Sequence, residues 1–102
     1  MATGTLRASA PLVVEYHVVD NNTVNANSAL SVNFTNIGKT GYTILGIVGA
    51  SIANASSSGT GSQLCAIKAF FASGTDATLA IKNNGSSAAK VKAELYILYQ
   101  KN

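Results

Sequence analysis

Acid–base and nucleophilic chemistry has few carriers in this 102-residue sequence: one histidine (His17), one cysteine (Cys65) and four carboxylates (Glu15, Asp20, Asp76 and Glu94). A hydrolytic triad needs an acid and a nucleophile beside its histidine. Glu15 lies two positions from His17, on the same face if the segment is a strand. A Glu-x-His pair in that setting reads as a solvated or interface pair. Cys65 falls at a core-facing strand position, where a free thiol behaves as a small hydrophobe. Metal centres need clustered ligands, and none of these residues has ligand spacing. The four acids are too far apart in sequence to pair by local spacing. Gly59-Thr60-Gly61 lacks the Lys-Ser/Thr that ends a phosphate loop, and no βαβ pattern follows it. The expectation is a non-enzyme with no cofactor and no metal.

The remaining polar chemistry is neutral. Ser (11), Thr (9) and Asn (10) make up 30 of 102 residues. Tyrosines stand at positions 16, 42, 96 and 99. Such groups suit neutral polar ligands such as sugars, and equally suit an inert shell. Ligand sites sit on loops more often than on strands, so Ser57, Ser58, Thr60 and Ser62 are the candidate ligand-binding residues.

Charged residues are only 11% of the chain, against about 25% in ordinary domains. Seven Lys/Arg and four Asp/Glu leave +3, too scattered for the basic stripe of a nucleic-acid protein. Lys82, Lys90 and Lys92 read as solvating lysines that protect a sheet edge. The aromatics sit in apolar runs rather than interleaved with basic residues, as strand-binding proteins place them. No nucleic-acid partner is expected. No stretch approaches the ~20 apolar residues of a membrane helix, so no membrane partner is expected either. The N-terminus lacks a basic segment followed by an apolar core, which predicts synthesis in a cytosol without export. One cysteine allows no intrachain disulfide. A surface of hydroxyls and amides on a chain made in a cytosol fits a virion protein released by lysis.

At 10.4 kDa the chain is one domain. Residues 1–11 are small and polar, ending at the only proline, and read as an arm or linker; residues 12–102 read as the folded domain. Leu12 to Val19 is rich in β-branched and aromatic residues, as strands are, and Asp20-Asn21-Asn22 supplies a turn. In Ser28 to Thr35, Leu30, Val32 and Phe34 alternate with Ser31, Asn33 and Thr35, the period of a half-buried strand. Tyr42 to Ala55 is apolar on both faces, with Gly46 and Gly49 marking bulges or close backbone approach. Ser56 to Ser62 reads as a flexible loop.

Gln63 to Ala72 predicts a strand with Cys65, Ile67 and Phe71 on one face and Leu64 and Phe70 on the other. Ser73 to Asp76 turns into a strand over Ala77 to Lys82. Asn84-Gly85 is a strong hairpin signal. Ala89 to Lys101 is the last strand, with Ala89, Val91, Ala93, Leu95, Ile97 and Tyr99 on one face. Six or seven strands with regular turn signals and no helix predict an all-β, antiparallel sandwich.

Within the last strand, Leu95, Tyr96, Ile97, Leu98 and Tyr99 are apolar on both faces. The domain's second sheet can cover one face. The other must be covered too, because soluble monomers avoid large apolar patches. These five residues are the expected oligomer interface.

The runs Gly41–Gly49 (GYTILGIVG), Leu64–Phe70 (LCAIKAF), Ala80–Ala88 (AIKNNGSSA) and Ala93–Lys101 (AELYILYQK) resemble the C-terminal domains of bacteriophage tail-fibre, head-fibre and baseplate receptor-binding proteins. The resemblance covers about residues 30–102. It implies a jelly-roll-like sandwich, a homotrimer, a place at a fibre tip in the virion, and contact with a host surface glycan or with other virion proteins. Such domains follow a long shaft, and here there is almost none, so an alternative is a capsid decoration or head-fibre protein with a structural role and an arm docked on the capsid. No binding residues carry over from the resemblance.

Overall fold

The computed structural model describes residues 10–102, so residues 1–9 of the expected arm lie outside the described residues. Six strands are described: β1 (Leu12–Val24), β2 (Ala29–Phe34), β3 (Tyr42–Asn54), β4 (Cys65–Ser73), β5 (Asp76–Asn83) and β6 (Ala89–Lys101). A short 3-10 turn, Ser62–Leu64, leads into β4. One antiparallel sheet has the order β1-β6-β3 and the other β2-β5-β4. The two pack together as a β-sandwich. Each connection crosses between sheets except β4 to β5, a hairpin that turns at Gly74 with φ 61°.

The core forms where the period-two residues of the two central strands meet. From β6 come Ala89, Val91, Ala93, Leu95, Ile97 and Tyr99, all buried, as their alternation predicts. From β5 come Ala77, Leu79 and Ile81, joined by Val24, Val32, Phe34 and Ile37. Each large side chain so buried contributes roughly 1.5–3 kcal/mol of transfer free energy.

Three local expectations fail. Asp20-Asn21-Asn22 is a bulge, not a turn: β1 runs on to Val24, with its register on β6 shifting between Val19 and Asn22. Asn21 takes the left-handed backbone (φ 58°) that asparagine tolerates. Asn22 Nδ2 closes the defect by donating to the carbonyls of Val19 (2.7 Å) and Val91 (3.2 Å). The partner strand decides this, because β6 is long enough to keep pairing past the bulge.

Asn84-Gly85 does not make a hairpin, since β5 and β6 belong to different sheets. The segment is a corner between sheets, and Asn83 holds it. Its buried amide donates to Val24 O (3.0 Å) and Ser87 O (2.9 Å) and accepts from Gly85 N (2.8 Å). A Cβ at Gly85 would lie 2.6 Å from Leu64 Cδ1, the movable end of an exposed side chain.

In β4 a bulge between Ile67 and Ala69 shifts the faces. Cys65, Ile67 and Phe70 stand opposite Asn83, Ile81 and Leu79, and Phe71 stands opposite Thr78 on the other face. One extra residue moves every side chain after it to the opposite face.

Candidate functional site

His17 and Glu15 occupy the inner phase of β1, opposite Leu95 and Ile97 of β6. Tyr99 donates its phenol proton to the Ile37 carbonyl, so its oxygen accepts from His17 Nε2 at 2.8 Å. Burial, together with the charge of Glu15, pushes the Tyr99 phenol above its ordinary pKa. Glu15 Oε1 is 3.9 Å from His17, while Oε2 lies 2.7 Å from Lys39 Nζ. That carboxylate holds Lys39 above the usual lysine pKa. His17 thus works as a structural donor to Tyr99, and Glu15 as a partner for Lys39. Burial pushes the Cys65 thiol up as well, the direction that suppresses thiolate.

Ser57, Ser58, Thr60 and Ser62 share one loop across the end of β6, and the loop is pinned where the sequence predicted flexibility. Thr60 and Lys90 exchange backbone hydrogen bonds of 3.1 and 2.8 Å. Ala55 N also donates to Lys90 O, and Ser62 N to Asn54 Oδ1 (3.0 Å). Ser56 N donates to Asp20 Oδ1 at 3.2 Å, and the bonds from Ser56 and Asn21 lower the Asp20 pKa. The turn closes on Gly59, where a Cβ would lie 2.2 Å from Ala55 N and O. Ser57, Ser58 and Thr60 are exposed and Ser62 is half-buried, so the loop offers hydroxyls on a fixed backbone.

The expected interface on β6 divides in two. Leu95, Ile97 and Tyr99 are 0% exposed within the single chain, covered by the β2-β5-β4 sheet, and drop out of any interface. Only Tyr96, 38% exposed, and the half-buried Leu98 face outward. The structure extends that outer surface onto β1, which sequence reading missed. Leu12, Val14, Tyr16 and Val18 are 44–55% exposed, and Val14 stands opposite Leu98 and Tyr16 opposite Tyr96. β1 therefore turns inward, half-buried, the phase that contains Glu15 and His17 and leaves its uninterrupted apolar phase in water. The signal was present in the alternation of Leu12 to Val19, but periodicity does not say which phase faces the core.

Polar groups organise the centre of this outer face. The Tyr16 and Tyr96 rings lie 5.3 Å apart, tilted by 48°, and Gly49 of β3 leaves space against Tyr96. Glu94 accepts from Tyr16 Oη at 2.6 Å and from Ser51 Oγ at 2.9 Å, tying the three strands together. The bond to that carboxylate is the main reason the Tyr16 phenol is pushed up to about 12.

A cleft lies on the flank. β3 and β4 are edge strands of opposite sheets, and a cleft of about 460 Å³ opens between them. Ile44, Leu45 and Ile47 line one lip, and Phe70 and Phe71 the other. Compared with family models, curated proteins and solved structures, the chain matches none.

Proposed function

We propose that this chain is a structural module of a bacteriophage virion, a fibre-tip or host-attachment unit that works as a homotrimer. The observation that carries the reading is the outer face of the β1-β6-β3 sheet, where Leu12, Val14, Tyr16, Val18 and Tyr96 form an apolar surface. A soluble chain covers such a surface with a partner, and further copies of the same chain are the simplest cover. The strand order supports a jelly-roll-like topology, with the first and last strands paired and successive strands passing from sheet to sheet. The resemblance to phage fibre domains supports the virion setting.

The function is multivalent binding of host-surface glycan. Three weak sites on one rigid body gain roughly 10²–10⁴ in apparent affinity, so shallow polar loops suffice. The Ser57, Ser58 and Thr60 loop is the site, because its hydroxyls are exposed and its backbone is fixed. A panel of immobilised bacterial surface polysaccharides tests this. The assembled protein is expected to be retained on at least one, and a Ser57→Ala/Ser58→Ala/Thr60→Ala variant of the same mass to lose at least tenfold in retention. Absence of retention across the panel contradicts the attachment role.

A further inference from the structure

Of the ten asparagines in the chain, only Asn84 is followed by glycine. In a free chain that pair is prone to a self-reaction, because no side chain shields the glycine nitrogen. The Gly85 nitrogen gives its proton to base and attacks Asn84 Cγ. The Cγ–Nδ2 bond breaks, ammonia leaves with a proton from water, and a succinimide ring joins the two residues. A second water opens the ring to aspartate or, with the main chain rerouted through Cγ, to isoaspartate. Water is the only co-reactant.

Asn84 is exposed, so water and base reach its amide, but its partner in the reaction is held. Gly85 is buried, and its N–H donates to Asn83 Oδ1 at 2.8 Å. Asn83 is 0% exposed and is itself fixed by donating to Val24 O and Ser87 O. The backbone around the pair is tied as well. Asn84 N donates to Leu64 O (2.9 Å), Asn83 N to Ser28 O (2.9 Å) and Asn27 N to Gly85 O (3.1 Å). The Leu64 side chain lies close over Gly85. Ring closure requires the Gly85 nitrogen to lose its proton and leave the Asn83 acceptor, and a buried hydrogen bond opposes both.

We propose that Asn84 is a deamidation site kept silent in the folded chain by the Asn83 side chain, which occupies the Gly85 N–H. Opening of the corner between the sheets, and not exposure of Asn84, then sets the rate, as local opening does for amide exchange. The reaction is also one-way for the fold. Isoaspartate adds a methylene to the backbone between residues 84 and 85 and brings a negative charge. Gly85 then loses its register with both Asn83 Oδ1 and Asn27 N. A chain that reacts while open refolds to a weaker corner.

Peptide mapping by mass spectrometry tests this, reading conversion of residue 84 during incubation at mildly alkaline pH. The folded wild type is compared with the free peptide Ala80–Ala88 (AIKNNGSSA) and with Asn83→Ala. The folded protein is expected to convert at least roughly tenfold more slowly than the peptide, the weight of one buried hydrogen bond. Asn83→Ala, checked as folded by circular dichroism, is expected to recover most of that difference. A wild-type series in urea below the unfolding midpoint covers the case in which the variant does not fold. There, conversion of Asn84 should rise in proportion to hydrogen exchange at the Gly85 amide, since both wait for the same bond to open. Folded wild type converting at the peptide's rate overturns the proposal. So does a folded Asn83→Ala as slow as wild type, or conversion that ignores Gly85 exchange.

Discussion

Truncating Tyr99 to alanine is expected to lower the unfolding free energy by about 3–5 kcal/mol, the range for removing a large buried aromatic. Tyr99 is 0% exposed within the core cluster, and its ring lies 6.3 Å from that of His17. Its hydroxyl links two elements that share no strand pairing, accepting from His17 on β1 and donating to Ile37 ahead of β3. The alanine variant therefore loses packing and leaves a buried carbonyl without its partner. Tyr99→Phe keeps the ring and loses only the hydroxyl, and should cost about 1–3 kcal/mol. Urea unfolding separates the two. With a slope of about 1–3 kcal/mol per molar, the alanine variant should lose more than 1 M in midpoint. Equal losses for both variants would show that the hydroxyl, and not the packing, dominates at this position.

Asn83→Ala is expected to cost about 2–4 kcal/mol, although it removes little volume. The side chain serves three backbone groups at the corner between the sheets: Val24 O, Ser87 O and Gly85 N. Leaving buried polar groups unpaired costs about 1–3 kcal/mol each before relaxation. The corner is where β5 leaves one sheet and β6 enters the other, so the damage should be local first. Hydrogen exchange at the Gly85 amide should accelerate by more than tenfold in the variant, beyond what global destabilisation produces. Unchanged exchange there would mean that water replaces the asparagine without loss.

The contrast between these residues explains what was legible in the sequence. The inner face of β6, Ala89 through Tyr99, was readable because its odd-numbered phase is apolar and its even-numbered phase begins with Lys90, Lys92 and Glu94. In β1 the same logic misleads. The apolar phase, Leu12, Val14, Tyr16 and Val18, faces out, and Glu15 and His17 face in, because the inner phase finds Tyr99 and Lys39 as partners. Those partners are more than twenty residues away, beyond any local pattern. Asn84-Gly85 was legible as turn chemistry but not as a corner held by Asn83, since only sheet membership distinguishes the two. The face assignment in β4 failed on one bulge at Ile67/Ala69, which no residue type in that run announces. The serine loop was readable as a loop, but its hydrogen bonds to Lys90 and Asp20 depend on strands far away in the sequence.

The interface expected over Leu95 to Tyr99 shows the same limit. A run that is apolar on both faces signals a second covering layer, and this is what β6 has on its inner side. Only Tyr96 and Leu98 remain for a partner, and β1 supplies the rest of the surface.

The central claim is that copies of this chain cover one another's apolar outer face. Sedimentation equilibrium of the wild-type protein tests it most directly. The account predicts a single species at three times 10.4 kDa, about 31 kDa, persisting on dilution through the micromolar range. A species at 10.4 kDa throughout, with Leu12, Val14, Tyr16 and Val18 left in water, would contradict it.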